Sequence, residues 1–165
     1  MIEYTYCPLC GGKLVRKKIE NRERIACPDD RCGFVHWNNP VPVIAAVIEH
    51  NGSVLLARNR AWPEKMFGLV TGFLERNESP EDGIVREVKE ELGLESKAEG
   101  LIGIYPFFQM NQVIMAYHVT AWGDVRLGEE IVEVKWIPPD KVRPWPYATG
   151  LAVRDWLEMR KKNNP

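Results

Sequence analysis

The chain has 165 residues, of which 45% are hydrophobic and 27% are charged, and its formal net charge is -1 at pH 7. This length suits one domain with a small appendage, and the near-neutral charge excludes a general electrostatic attraction to nucleic acid or to an anionic membrane. No apolar run approaches the roughly 18 residues of a membrane span, and the N-terminus carries no secretory signal. We therefore expect a soluble, cytoplasmic protein without a membrane partner.

All four cysteines lie in the first 32 residues, where Cys7 is paired with Cys10 and Cys27 with Cys32. Close thiolate pairs on tight turns can surround a tetrahedral Zn²⁺ ion. The alternatives are reduced thiols without a metal or a pair of disulfides, and a cytoplasmic location disfavours the disulfides. We predict a zinc ribbon over residues 1–38. Its zinc would be structural, because four thiolates leave no position open for water.

The segment between the two cysteine pairs is basic. Its charged residues include Arg16, Lys17, Lys18, Arg22 and Arg24. Such a cluster can contact nucleic acid, but charges of this kind more often solvate the face of a hairpin, and two glutamates interrupt the cluster. We therefore favour a solvated hairpin over a nucleic-acid partner.

The composition changes to apolar, β-branched residues after residue 39, which predicts a second domain over residues 39–165. Apolar runs at 41–48 and 54–57 flank Asn51 and Gly52, a strong hairpin signal. The fold class indicated is α+β, that is, mixed α/β. Further strands are predicted at about 67–71, 98–105, 112–121 and 132–137, and helices at about 80–92 and 147–161.

The helix at 80–92 has clear start and stop signals. Ser79 can cap it, Pro80 suits its first position, and Gly93 can end it in a left-handed conformation. Apolar residues at four-residue spacing predict its buried face. They are Ile84, Val88 and Leu92.

Three carboxylates, on Glu87, Glu90 and Glu91, crowd onto one face of this predicted helix, because their offsets are three and four residues. A hard cation such as Mg²⁺ or Mn²⁺ would relieve their repulsion and keep positions for water and substrate phosphate. Arg86 can pair with Glu78 and orient the group. A solvated acidic helix face explains the same spacing equally well.

The complete pattern Gly72-x5-Glu78-x7-Arg86-Glu87-Val88-x-Glu90-Glu91-x-Gly93-Leu94 resembles the Nudix box at every specified position. The resemblance implies the Nudix α/β/α sandwich. It also implies a metal-dependent hydrolase that cleaves the pyrophosphate of a nucleoside diphosphate linked to another group.

The same resemblance assigns roles within the motif. It implies that Arg86 and Glu78 form a supporting ion pair, and that the main-chain carbonyl of Thr71 or Gly72 completes the coordination of a catalytic Mg²⁺ or Mn²⁺. The carboxylate ligands it implies are Glu87, Glu91 and, as a ligand or a water-orienting group, Glu90. The carboxylate that acts as general base is left open, because family members differ.

A zinc ribbon ahead of such a domain resembles the NADH pyrophosphatase group and related hydrolases of ADP-ribose or flavin dinucleotide. In NADH pyrophosphatases a further metal-binding glutamate precedes a tryptophan, and the matching residue ahead of Trp136 is Glu133. A solvated strand residue is the alternative for Glu133. The group's Ser-Gln-Pro-Trp-Pro-Phe-Pro signature is matched only by a proline and aromatic residues at 104–110, so NADH specificity does not follow.

Aromatic residues are candidates for stacking against a base of the substrate, with core packing as the competing explanation. The candidates are Tyr105, Phe107, Phe108, Phe73, Trp37 and Trp62.

The predicted substrate is a dinucleotide, such as NADH or flavin dinucleotide, or ADP-ribose. One alternative is a nucleoside triphosphate pyrophosphatase. Another is a nucleotide-sensing module without catalysis, whose ribbon binds RNA or protein. Relatives of this kind commonly form homodimers, which makes a second copy of the chain a candidate partner.

Overall fold

The structure is a computed structural model that describes residues 4–163. The chain divides into two compact units, with the division between Asn39 and Pro40. Within the described residues, no helix combines the length and the apolar character needed to cross a membrane.

The first unit is a small three-stranded antiparallel sheet. Its turn residues Glu20 and Asn21 have positive φ angles of 48° and 62°, as a tight two-residue hairpin requires. Its apolar centre is small and is formed by Cys7, Leu14 and Cys27, which is little for a unit of this size to fold on. The strands are β1 (Val15–Ile19), β2 (Arg22–Ala26) and β3 (Val35–His36).

The second unit contains a six-stranded mixed sheet and two helices. The strands are β4 (Val41–His50), β5 (Ser53–Asn59), β6 (Val70–Phe73), β7 (Glu95–Phe107), β8 (Gln112–Trp122) and β9 (Ile131–Ile137), and the helices are α1 (Pro80–Leu92) and α2 (Thr149–Asn163). The strand order is β7-β8-β4-β5-β9, and β6 pairs with β4. Strands β4 and β8 are parallel, whereas the other pairs are antiparallel.

Strand β4 lies in the middle of the sheet and is buried on both faces. Alternate residues such as Val43 and Val47 face a core that includes Trp156 of α2. The residues between them, such as Ile44, face a second core that includes Ile84 of α1. The sheet therefore lies between the two helices, and the predicted mixed α/β sandwich is present.

Helix α1 has the predicted bounds because its signals are local. The Ser79 hydroxyl accepts a hydrogen bond from the Asp82 N–H at 3.1 Å, and Gly93 ends the helix with a φ of 67°. The Asn51-Gly52 hairpin is also present, with φ angles of 52° and 74°. Helix α2 begins at Thr149, two residues later than expected.

The strand predicted at 67–71 is misplaced by the sequence pattern. Gly68 forms only an isolated bridge to Ala57, through two backbone hydrogen bonds of 2.9 and 3.0 Å. The strand proper, β6, begins at Val70 and ends at Phe73, where it pairs with β4 instead. The chain thus passes from one neighbour strand to another within this apolar run, which the run itself does not reveal.

Candidate active site

Arg86 and Glu78 form the ion pair expected from the motif. The Arg86 Nη2 donates to Glu78 Oε1 at 2.8 Å, and its Nε donates to Glu78 Oε2 at 3.1 Å. Glu78 Oε1 also accepts the N–H of Glu75 at 2.7 Å. The hydrogen bonds from Arg86, followed by the one from Glu75, lower the pKa of Glu78. This bidentate pair fixes the loop ahead of α1 to the helix.

The same guanidinium connects two of the motif glutamates. Its Nη1 donates to Glu87 Oε1 at 2.7 Å and to Glu90 Oε2 at 2.9 Å. The Nη2 also donates to the Phe73 carbonyl at the end of β6, at 3.3 Å. Arg86 therefore links α1, β6 and the loop before α1.

Glu91 is in a different situation. Among residues 4–163 no hydrogen-bond donor or cation contacts its carboxylate. Burial, followed by the charges of Glu87, Glu130 and Glu90, raises its pKa to about 8. Burial also raises the pKa of Glu87, although Arg86 opposes the shift. The site thus holds negative charge that the described residues do not fully compensate.

Glu87 and Glu91 face a cavity of about 250 Å³, which we call the acidic cavity. The cavity is bordered by β4, β6, α1, the start of β8 and the residue before β9. Its lining residues are Val43, Thr71, Gly72, Phe73, Glu87, Glu91, Gln112 and Glu130. The structure therefore brings Gly72, Glu87 and Glu91 together, while Glu90 lies beside them and is more exposed.

The sequence points to Glu133, and not to Glu130, as the metal-binding glutamate outside the motif. The structure places Glu133 outside the acidic cavity, where its Oε2 accepts a hydrogen bond from Arg58 Nε at 3.2 Å. Glu130 lines the cavity instead, and its charge acts on both Glu87 and Glu91. The only sequence signal was a second acidic residue close ahead of the same strand.

The donor chemistry of these residues suits a hard divalent cation, although among the described residues only the four cysteines place three or more ligand atoms within 4.8 Å of one another. Three carboxylates line one cavity, and within the described chain Glu87 is paired with Arg86 whereas Glu91 and Glu130 have no cationic partner. Buried like charges are unfavourable unless a counter-charge is present, and oxygen donors are what Mg²⁺ and Mn²⁺ prefer. The residues that would hold the ion are Glu87, Glu91 and Glu130.

A larger cavity of about 540 Å³, which we call the aromatic cavity, shares three lining residues with the acidic cavity. The shared residues are Val43, Thr71 and Gln112. The other lining residues are mostly aromatic or apolar, and Lys65 is the charged one among them. They include Trp62, Met66, Phe67, Phe107, Met110, Trp145 and Tyr147.

The predicted aromatic residues fall in different places. Phe107 and Trp62 line the aromatic cavity, and Phe73 lines the acidic one. Tyr105 belongs to the core and donates its hydroxyl hydrogen to Asp155 at 2.8 Å. Phe108 is 84% exposed and lines neither cavity.

Three aromatic residues of the aromatic cavity, Phe67, Trp145 and Tyr147, are not predicted as substrate contacts from the sequence. Trp145 and Tyr147 come from the proline-rich segment just ahead of α2. Trp37, the remaining predicted candidate, lies in the first unit.

The four cysteines come together in the first unit. The Sγ atoms of Cys7 and Cys32 are 3.6 Å apart, as are those of Cys10 and Cys27, and all four lie within 4.8 Å of one another. Four sulfurs at about 2.3 Å from one Zn²⁺ would be about 3.8 Å apart. All four are free thiols.

Burial is the largest influence on the Cys7 thiol and opposes its ionisation, but backbone hydrogen bonds from Cys10 and Leu9 and side-chain hydrogen bonds from Cys32 and Cys10 together lower its pKa to about 7. The pKa values of Cys27 and Cys32 are raised. The approach of all four sulfurs to within 4.8 Å of one another fits a structural Zn²⁺ ion.

Residues 38–156 match the sequence model of the NUDIX domain. The chain belongs to the Nudix family. This Nudix chain is 33% identical over 120 residues to the NAD-capped RNA hydrolase NudC of Mycobacterium bovis, an alignment that covers 70% of the chain and 36% of that protein. It is 27% identical over 164 residues to the NudC of Vibrio vulnificus, covering 96% of the chain and 59% of that protein.

The chain thus spans less than two thirds of the length of these curated relatives. Among solved structures, it is similar to a NUDIX hydrolase from Nitrosomonas europaea, with 25% identity and a TM-score of 0.82, covering 98% of this chain and 95% of that one. An ADP-ribose pyrophosphatase from Streptococcus suis shares the fold, at 21% identity and a TM-score of 0.60, covering 74% of this chain and 93% of that one.

Proposed function

We propose that the chain is a metal-dependent pyrophosphohydrolase that cleaves a nucleoside diphosphate linked to another group. The observation that carries this proposal is the junction of two cavities, one acidic and one aromatic, that share Val43, Thr71 and Gln112. A substrate with a pyrophosphate at its centre and a base at its end matches this pairing. The phosphates would lie in the acidic cavity and the base in the aromatic one.

The acidic cavity would hold Mg²⁺ or Mn²⁺ through Glu87, Glu91 and Glu130, with Glu90 as a further ligand or a water-orienting group. When bound, such an ion neutralises charge on phosphoryl oxygens and lowers the pKa of the attacking water. The protein's own contribution is to hold the carboxylates in place. Arg86 fixes Glu87 and the end of β6 at once, so the carboxylates are aligned before the substrate arrives.

The aromatic cavity suits a base and its ribose. Its volume of about 540 Å³ falls within the range of roughly 300–1,000 Å³ that is usual for small-molecule sites. Aromatic side chains such as Trp62 and Tyr147 offer faces for stacking. The side-chain amide of Gln112 lies at the boundary of both cavities. It makes no hydrogen bond within the described part of the chain. It is therefore free to bind a ribose hydroxyl or a phosphate oxygen.

The leading substrates are dinucleotides such as NADH or flavin dinucleotide, and ADP-ribose. The names of the relatives favour a substrate that contains an NAD group. An RNA oligonucleotide capped with NAD therefore belongs in the same substrate panel. The ribbon of residues 1–38 would have a structural role through Zn²⁺, and the Nudix domain of residues 39–165 would carry the chemistry. A cytoplasmic location and a homodimer are part of the same proposal.

The test is incubation of the full chain with Mg²⁺ or Mn²⁺ and a panel of NADH, ADP-ribose, flavin dinucleotide, NAD-capped RNA and deoxynucleoside triphosphates, with products identified by mass. We expect AMP from the first three substrates, or RNA with a 5′-monophosphate from the capped one. Preferential release of pyrophosphate from a triphosphate would replace this proposal with a triphosphate pyrophosphatase. Binding of ADP-ribose without cleavage of any substrate would indicate a sensing module instead.

A further inference from the structure

Asn59, at the end of β5, holds Glu130 through its side chain. The Asn59 Nδ2 donates a hydrogen bond to Glu130 Oε2 at 3.1 Å. The Asn59 Oδ1 accepts the N–H of Ala61 at 2.9 Å. Because the oxygen is engaged by a backbone donor, the amide group has one orientation, and its NH₂ points toward Glu130.

The backbone supports the same contact. The Arg60 N–H donates to the Glu130 carbonyl at 2.7 Å. A bulge lies directly beside it, since Arg58 pairs with Glu133 whereas Asn59 pairs with Ile131. A bulge re-aims the side chains around it and is common next to active sites. Here it sets Glu130, just ahead of β9, opposite the end of β5.

Glu130 needs such support. It is exposed, and it shares the acidic cavity with Glu87 and Glu91, whose negative charges repel it. Within residues 4–163, the Asn59 amide is the group that bonds its carboxylate. Without that amide, repulsion and side-chain freedom would both favour conformations that turn Glu130 away from the cavity.

We propose that Asn59 is a positioning residue that keeps the Glu130 carboxylate directed at the acidic cavity, so that Glu130 can act as a cation ligand. This inference rests on the proposed function. Asn59 itself would not touch the substrate. Partners of this kind around metal ligands typically change metal affinity or activity by about 10–100-fold when they are removed.

The decisive variant is Asn59→Ser. A serine hydroxyl can still accept the Ala61 N–H and preserve the turn, but it is too short to reach Glu130, and it leaves the charge unchanged. The comparison variants are Glu130→Gln and the double variant. Glu129→Gln is the control, because Glu129 is exposed and does not line the acidic cavity.

The first measurement is calorimetric titration of the zinc-loaded full chain with Mn²⁺ in the absence of substrate. We expect about tenfold weaker Mn²⁺ binding for Asn59→Ser and for Glu130→Gln, and wild-type binding for Glu129→Gln. If Asn59 acts through Glu130, Asn59→Ser adds no further loss in the Glu130→Gln background. The second measurement is kcat and KM on the preferred substrate, where Asn59→Ser should lower kcat with little change in KM.

Failure of the role of Asn59 can be distinguished from failure of the proposed function. If Glu130→Gln weakens Mn²⁺ binding but Asn59→Ser binds Mn²⁺ as the wild type does, the role of Asn59 is overturned and the proposed function stands. If the wild type binds no Mn²⁺ at this site, both are overturned. A loss in Asn59→Ser that adds fully to that of Glu130→Gln would also contradict the inference, because the serine would then act independently of Glu130.

Discussion

Gly72 and Glu87 approach so closely that a Cβ atom at residue 72 would lie 1.9 Å from the carboxyl carbon of Glu87. The backbone of β6 therefore runs directly against the carboxylate at the first position of the glutamate cluster. A glycine is needed there for close approach, since its φ is not in the left-handed region. This contact explains in physical terms why the motif begins with a glycine.

We predict that Gly72→Ala displaces the Glu87 carboxylate. Activity should fall by about 100-fold, because shifts of about 1 Å in catalytic groups cost that much. The free energy of unfolding should change much less than for an overpacked core, because the atoms that the new Cβ meets are the far end of the flexible Glu87 side chain. The control is Gly100→Ala, since a Cβ there meets no atom within 4 Å. Wild-type activity in Gly72→Ala would show that Glu87 does not need this position.

Glu91→Gln should make the metal-free protein more stable. The same variant should lose most of its activity when the metal is present. The wild-type carboxylate is buried beside other carboxylates, which raises its pKa to about 8. Its contribution to stability is therefore fully present below its ordinary pKa of 4.5 and is lost as the pH rises through about 8. A neutral amide avoids this loss.

For the same variant, we expect a melting temperature about 2–4 °C higher at pH 8, corresponding to about 1 kcal/mol, and little difference at pH 4. Activity should drop by about 100-fold or more. Thermal melts in the presence of a chelator, at both pH values, check the first part. A lower melting temperature at pH 8 would contradict it.

The ion pair between Arg86 and Glu78 should stabilise the fold. Side-chain exposures of 29% and 16% place the pair in a partly buried environment. Arg86→Lys retains the charge but cannot form the bidentate contact. We therefore expect it to lower the free energy of unfolding by much of the amount that Arg86→Ala does. Denaturant titration of Arg86→Ala, Glu78→Ala and the double variant should give a coupling of about 1–3 kcal/mol. If the losses of the two single variants simply add up in the double variant, the interaction between Arg86 and Glu78 contributes nothing to stability.

Tyr147→Ala should raise KM several-fold with little change in stability. Tyr147 lines the aromatic cavity and is 50% exposed, so its ring is available for stacking and contributes little to the core. Phe108→Ala is the matched control, because Phe108 lies outside both cavities. Initial rates over a range of substrate concentrations distinguish the two. An equal change in KM for both variants would show that the aromatic cavity does not bind the substrate.

The cysteine cluster should bind one Zn²⁺ ion per chain. Native mass spectrometry of the full chain should show this ion, and Cys32→Ser should lose it, because one of the four thiolates is gone. Glu91→Gln should retain it, which separates the two metal sites. A wild-type mass that matches free thiols would contradict the zinc assignment.

Local signals in the sequence were sufficient for the parts of the fold that depend on neighbours along the chain. Helix α1 is bounded by Ser79 and Gly93, both of which act within a few residues. The ion pair between Arg86 and Glu78 was also foreseeable, because the helix start fixes their separation.

Contacts between distant strands were not foreseeable in the same way. Whether Glu130 or Glu133 faces the acidic cavity depends on the bulge opposite Arg58 and Asn59, and nothing in the sequence marks it. Strand β7 has two further irregularities, so alternation along it does not reveal that Tyr105 faces the core. The place of Trp145 and Tyr147 depends on how the segment before α2 returns to the sheet.

Product analysis of one substrate with two proteins tests whether the acidic cavity is the site of pyrophosphate cleavage. Wild type and Glu91→Gln are incubated with NADH and Mn²⁺, and the products are identified by mass. We expect AMP and reduced nicotinamide mononucleotide from the wild type, and a loss of about 100-fold or more in Glu91→Gln. Equal product from both proteins would contradict the claim that the acidic cavity is the site of pyrophosphate cleavage.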